Sequence, residues 1–89
     1  GNPTAQNFIL IQWQPDEAGF DLVAVNYAPH RGQCFVPLRL PTLPAAKWVV
    51  KDRMSAEEYV RADGELRAGG FYLDLAPFGA HVFNFKPVD

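Results

Sequence analysis

The chain alternates short hydrophobic runs with clusters of turn-forming residues. Residues 8–14 begin as a continuous apolar run and end in alternation, which is typical of a strand buried largely on both faces. Residues 21–27 are rich in β-branched and aromatic side chains and predict a second strand. Residues 15–19 contain Pro, Asp and Gly, so they predict a hairpin loop of more than two residues between the two strands.

Residues 33–40 predict a third strand. Cys34, Val36 and Leu38 share one face of it, and we expect them to point inward. Pro37 has no backbone N–H to donate, so the strand should lie at an edge or contain a bulge. Cys34 is therefore expected to be a small buried apolar residue rather than a nucleophile.

Four further strands are predicted at residues 47–52, 59–61, 71–75 and 80–85. Phe71, Leu73 and Leu75 should point inward on one of them, with Phe83 and Phe85 inward on the last. The total of about seven to eight short strands, with turn signals every 8–12 residues or so, indicates an all-β fold. We predict an antiparallel, Greek-key-like β-sandwich, because no connection supplies a crossover helix.

Three segments between these strands carry turn signals. Ser55 stands three residues before Glu58 and predicts one helical turn. The Asp63-Gly64 pair predicts a hairpin turn, and residues 76–79 predict a tight turn.

Composition narrows the function classes. The 89 residues are 48% hydrophobic and 13% aromatic, enough for one packed domain. The single Cys excludes an internal disulfide, and with only two His it excludes a typical structural zinc site, so we expect no metal or cofactor. A net charge of −2 and the lack of an apolar run of about 18 residues favour neither a nucleic-acid nor a membrane partner.

The chain has ten carboxylates, but their positions do not predict a catalytic pair. A glycosidase needs two carboxylates about 5–10 Å apart in a cleft. Most of these acids fall in predicted turns or point outward from strands, where solvated acids are common. The examples are Asp16, Glu17, Asp63, Glu65 and Asp74.

The remaining polar residues do not predict a functional site either. Neither His30 nor His81 has a sequence neighbour at a spacing typical of a metal site or a catalytic triad. Asp52 and Arg53 are expected to form a surface ion pair at a strand end. We therefore predict that this domain is not itself an enzyme.

Four aromatic residues are candidate contacts for carbohydrate or for another domain: Trp13, Tyr27, Trp48 and Tyr72. Flat aromatic faces offer a large contact area for sugar rings or protein. The core or a domain interface is the favoured interpretation for the two tryptophans. Tyr72 should be exposed, because its neighbours Phe71 and Leu73 are expected to point inward.

Several segments together resemble the C-terminal β-domain of alpha-amylase-like enzymes of glycoside hydrolase family 13. They are residues 21–29 with 33–38, residues 47–54, and residues 70–83. The last segment has an apolar-Asp-Leu run, then Pro-aromatic-Gly, then an apolar strand, as that family's final two strands often do. The resemblance covers about residues 8–85, and it rests on the order and spacing of these motifs.

The resemblance implies an antiparallel sandwich that follows a catalytic (β/α)8 barrel. None of the barrel's catalytic motifs is matched here, so no catalytic residue is carried over. It implies a non-catalytic accessory domain, residues 8–86, that packs on and stabilises the barrel of the same polypeptide, with the parent enzyme acting on α-glucans. Residues 1–7 would then be a linker or a remnant of expression, and residues 87–89 a tail.

Two alternatives remain open: a carbohydrate-binding module for starch or maltooligosaccharides, and an independent protein–protein module. The accessory role predicts an exposed apolar patch, whereas a carbohydrate module predicts two or more exposed coplanar aromatic rings. The start at Gly1 favours a fragment of a longer protein. The lone Cys and the lack of an Asn-X-Ser/Thr sequon slightly favour the cytoplasm.

Overall fold

The structure is a computed structural model that describes residues 8–16, 19–41 and 44–88. In that part of the chain, seven antiparallel strands form two sheets, and there is one short helix. The elements are β1 (Phe8–Asp16), β2 (Gly19–Asn26), β3 (Gly32–Val36), β4 (Lys47–Asp52), β5 (Glu58–Ala62), α1 (Asp63–Gly69), β6 (Phe71–Leu75) and β7 (Ala80–Val88). The expected all-β, sandwich-like fold with antiparallel strands is confirmed.

The larger sheet has five strands in the order β1-β2-β7-β4-β5, and the smaller sheet pairs β3 with β6. Strand alternation gives the larger sheet one inner face. Phe85 on β7 lies between Phe20 on β2 and Val50 on β4, and all three side chains are buried. This continuous apolar row holds the centre of the sheet against the smaller sheet.

Aromatic rings fill the space between the sheets. Phe20 stacks on Phe85 with ring centroids 4.6 Å apart, and Phe71 from the smaller sheet meets Phe85 edge-on at 5.0 Å. Phe71, Leu73 and Leu75 are buried, as the alternation of the sequence predicts. The two sheets are thus joined by ring contacts in the stacked and edge-to-face geometries that aromatic pairs prefer.

The third strand is shorter than predicted. It ends at Val36, directly before Pro37, which cannot donate a ladder hydrogen bond. The following segment lies along β1 instead, where Gln12 and the backbone of Arg39 exchange two hydrogen bonds of 2.7 and 2.8 Å. Cys34 is buried, as expected.

The hairpin turn predicted at Asp63-Gly64 is wrong: these residues begin the helix α1. The carboxylate of Asp63 accepts hydrogen bonds from Trp48 on β4 and from Arg67, one helical turn further on. Both bonds favour a helix at this position over a hairpin turn. Leu66 is buried and joins the core. The helical turn predicted at residues 55–58 is not found, since those residues form a bend that leads into β5.

The predicted tail is also wrong in part, because β7 continues to Val88. Lys47 pairs with Val88, and Trp48 pairs with Pro87, so β4 provides a partner for these last residues. Asp89 and the predicted linker at residues 1–7 lie outside the described residues.

Candidate functional site

The outer face of the five-stranded sheet carries large apolar side chains that nothing in the described structure covers. On the edge strand β1, Ile9, Ile11 and Trp13 alternate outward and are 50%, 54% and 62% exposed. Three consecutive outward positions on one strand are therefore hydrophobic, where a solvated face would carry polar residues.

The same surface continues onto β2 and β7. Val25 lies opposite Ile9, while Val23 lies opposite Ile11 on one side and Val82 on the other. We call this surface the apolar face. It consists of Ile9, Ile11, Trp13, Val23, Val25 and Val82.

A row of polar residues borders the apolar face. Asp21 lies opposite Asn84, whose Nδ2 donates a 2.9 Å hydrogen bond to Asp21 Oδ1. The guanidinium Nε of Arg53 approaches the same oxygen at 3.7 Å. Lys51 and Glu58 continue the row across β4 and β5. An apolar centre beside a polar border is the usual layout of a protein contact surface.

The four aromatic residues selected from the sequence do not form one site. Trp48 is 1% exposed in the core, one of the two places that the favoured interpretation gave it, and its indole N–H donates to Asp63. As a contact for a sugar or for another domain Trp48 is therefore corrected, because its ring is not accessible. Trp13, Tyr27 and Tyr72 are exposed. However, Trp13 is on the outer face of the larger sheet, Tyr72 is on the smaller sheet, and Tyr27 follows β2.

A second exposed aromatic group involves Phe35, which the sequence analysis did not select. Phe35 pairs with Tyr72 across the smaller sheet, with ring centroids 5.2 Å apart and planes tilted by 53°. Asp74, two residues beyond Tyr72, holds Arg31 in a 2.9 Å ion pair. The shared outward parity of Phe35 and Tyr72 was visible in the sequence, but their pairing required knowledge of the sheet order.

The predicted surface pair between Asp52 and Arg53 is also wrong. The carboxylate of Asp52 is buried and accepts a 2.7 Å hydrogen bond from Nδ1 of His81, while Arg53 approaches Asp21 instead. Asp52, the last residue of β4, points to the buried inner side, whereas Arg53 follows the strand and reaches Asp21 beside the apolar face. His81 thus has an acidic partner that sequence spacing did not reveal.

Among the described residues, the one cysteine is not a reactive thiol and no metal site is found. Burial raises the pKa of the Cys34 thiol, which favours the unreactive protonated form. Across residues 8–16, 19–41 and 44–88, no three His, Cys, Asp or Glu side chains are placed to share a metal ion. The one helix in those ranges has seven residues, and no helix there is long and apolar enough to cross a membrane.

Neither a protein-family model nor a curated protein matches this sequence.

Proposed function

We propose that this chain is a non-catalytic accessory domain that packs through its apolar face on the catalytic (β/α)8 barrel of an alpha-amylase-like glycoside hydrolase. The barrel belongs to the same polypeptide, and the parent enzyme acts on α-glucans. The observation that carries the proposal is the exposure of Ile9, Ile11 and Trp13 on consecutive outward positions of β1. The sequence resemblance supports the choice of a barrel as the partner.

The physical basis is removal of apolar surface from water. Burial stabilises by about 25 cal/mol per Å² of apolar surface, and interfaces between domains of one chain commonly bury about 600–1,500 Å². The side chains of the apolar face would form the centre of such an interface. The fixed Asp21–Asn84 hydrogen bond beside them provides a polar rim that would orient the barrel.

A carbohydrate-binding module, the alternative predicted from the four aromatic residues, has less support than the accessory role. It requires exposed coplanar rings near one another. One of the four rings is in the core, and Tyr72 is tilted against its exposed neighbour Phe35 rather than coplanar with it. The accessory role is therefore the better supported function.

The experiment uses the whole polypeptide that the gene encodes. Its reading frame is sequenced first, and the protein is then expressed with Ile11→Asp, or with Val60→Asp as the matched control. Val60 is likewise apolar, outward and 54% exposed, but it is on the opposite edge strand β5 and outside the apolar face. Calorimetry and limited proteolysis measure how firmly the domain is held.

We expect Ile11→Asp to lower the unfolding temperature of the whole protein and to expose the domain to protease, because a charge would be buried at the interface. Val60→Asp should change little. A reading frame without a barrel would overturn the proposal. The same conclusion would follow if both variants behaved like the unmodified protein.

A further inference from the structure

The strand β6 has a free backbone edge. It pairs with β3 on one side, and no described strand pairs with its other side. Phe71 on β6 meets Phe83 and Phe85 of β7 edge-on, so β6 lies over β7, while β4 and β5 extend beyond it on the larger sheet. A cleft of about 340 Å³ opens in this step between the two sheets.

The free edge of β6 forms one wall of the cleft. All five residues of Phe71–Leu75 line it, and none of the described residues of β3 does. The side chains of Tyr72 and Asp74 alternate to the outer face of the smaller sheet, so these two residues reach the cleft through their backbone. Within the described ranges, no backbone group outside β3 pairs with residues 71–74. The wall is therefore a row of unpaired N–H and C=O groups, with which an extended peptide can pair.

The sequence of β6 lacks the features that usually protect a free edge. These features are charged residues, Pro and bulges. The outer strands of the larger sheet have them, since β1 contains a bulge between Trp13 and Asp16, and β5 carries Glu58 and Arg61. The sequence of β6 is FYLDL, its pairing with β3 has no register shift, and its one charged side chain, Asp74, points to the outer face. The edge is thus suited to accept a further strand.

Arg61 supplies a positive charge to the floor of the cleft. Its Nη1 donates a 3.0 Å hydrogen bond to the carbonyl oxygen of Val60, and its guanidinium carbon lies 5.4 Å from the centre of the Tyr59 ring. It forms no ion pair with any acid among the described residues. A guanidinium in this position is available to a carboxylate from a ligand.

The acidic side chains of the cleft are at its other end and have donors of their own. Asp52 accepts a hydrogen bond from His81, and Glu57 accepts one from Tyr59. Glu57 precedes Arg61 by four residues, a distance of about 13 Å along an extended chain. This separation exceeds the Debye length of about 8 Å at physiological ionic strength, so a negative group beside Arg61 would interact mainly with the guanidinium.

We propose that the free edge of β6 binds an extended segment of a partner protein, with an acidic side chain of that segment against Arg61. The segment would become a third strand of the smaller sheet, and its alternate side chains would lie on the cleft floor. The inward position beside Arg61 would carry Asp or Glu. The next inward position, about 7 Å along, would carry an apolar side chain against Tyr59 and Phe83.

A second copy of this chain fits the edge less well than a single segment. If two copies paired through β6, each would bring its own β4 and β5, which extend beyond β6 and occupy the place where the other copy would lie. A single extended segment brings no second sheet. The inference is independent of the accessory role, because the cleft opens on the inner side of the larger sheet and the apolar face is on its outer side.

The test is a titration of the 89-residue chain with a short peptide, followed by amide NMR signals and hydrogen exchange. The peptide has blocked ends, alternates Val and Thr, and has Glu in place of its central Val. We expect saturable shifts in β6 and at Arg61 with a Kd of about 0.1–1 mM, together with slower exchange of the β6 amides. One matched peptide has Gln in place of Glu and should bind about ten-fold more weakly. Another has two adjacent Pro residues, which remove donors from both edges of the peptide, and should not bind.

Variants of Arg61 then test the charge. Arg61→Gln should weaken binding of the Glu peptide about ten-fold and change binding of the Gln peptide less than about two-fold. Arg61→Glu should reverse the preference, so that a peptide with Lys at the central position binds better than the one with Glu. Arg39→Gln is the control, because Arg39 is exposed outside the cleft and its backbone bonds to Gln12 are kept. The amide spectra of the free variants verify that the fold is retained.

Several results would overturn the proposal. One is the absence of saturable shifts in β6 up to about 5 mM peptide, and another is equal binding of the peptide with two Pro residues. A preference for Glu over Gln that persists in Arg61→Gln would remove the role of Arg61. If the β6 amides become protected as the protein concentration rises without peptide, a second copy covers the edge and the partner segment is excluded.

Discussion

The indole N–H of Trp48 donates a 2.8 Å hydrogen bond to Oδ1 of Asp63, and both side chains are buried. Trp48 is on the central strand β4, and Asp63 is the first residue of α1. The same carboxylate also accepts hydrogen bonds from the side chain of Arg67 and the backbone of Ala45. One buried acid therefore attaches the helix to the sheet.

Replacing Asp63 should destabilise the domain strongly. In Asp63→Ala the buried indole N–H loses its acceptor and Nε of Arg67 loses its carboxylate partner, and a buried unsatisfied donor is costly. We expect the unfolding temperature to fall by about 5–15 °C in a thermal melt followed by circular dichroism. Glu65→Ala is the control, since Glu65 is in the same helix but exposed, and it should shift the melt by less than about 3 °C. Equal shifts for the two variants would contradict the role assigned to Asp63.

The same carboxylate should make stability depend on pH. Its hydrogen bonds, first from Arg67 and then from Trp48, lower the pKa of Asp63 in the folded protein. A lowered pKa stabilises the folded state above the unfolded-state value of about 3.9, and this contribution disappears as the pH falls through the folded-state value.

Asp63→Asn cannot ionise, so comparison with it isolates the effect. The difference in unfolding temperature between the unmodified protein and Asp63→Asn should be constant from pH 7 to about pH 5 and should shrink below about pH 4. The measurement is a series of thermal melts at stepped pH. A difference that stays constant to pH 3 would show that the ionised form of Asp63 is not favoured by folding.

Replacing either of two glycines near α1 by alanine should change the free energy of unfolding, but in opposite directions. Gly70 has a φ of +83°, and a Cβ there would lie 2.5 Å from the carbonyl oxygen of Val36. Gly70→Ala should therefore cost about 2–3 kcal/mol. Gly64 is in the helix, and a Cβ there would meet no atom within 4 Å, so Gly64→Ala should stabilise by about 0.5–1 kcal/mol. Urea unfolding measures both, and a neutral Gly70→Ala would contradict the close approach of Val36.

The two faces of the larger sheet should differ in their sensitivity to truncation. Leu22 points into the core and is 1% exposed, so Leu22→Ala should cost about 2–5 kcal/mol. Ile11 is on the neighbouring strand but faces outward, so Ile11→Ala in the isolated chain should cost less than about 1 kcal/mol by urea unfolding. A large loss for Ile11→Ala would mean that the apolar face is already covered in the isolated chain.

The sequence by itself determined where the strands lie, though not all of their ends, and which side of them points inward. Alternation placed Cys34, Phe71, Leu73, Leu75, Phe83 and Phe85 inward, and all six are buried. It did so because side chains of a strand alternate strictly between two faces, and because one of those faces must be apolar to form a core. The tight turn at residues 76–79 was also predicted from the sequence, because Pro and Gly favour turns. In the structure the backbone N–H of Gly79 donates to the carbonyl of Ala76.

Tertiary structure decided the features that depend on distant partners. The side chain of Asp63, at the start of α1, accepts a hydrogen bond from Trp48 on β4, a donor that no local turn signal contains. His81 found Asp52, 29 residues away, only because β7 lies beside β4 in the sheet. The apolar face likewise arises from the side-by-side placement of β1, β2 and β7. Local pattern specifies which side of a strand is apolar, whereas the sheet order specifies which residues meet.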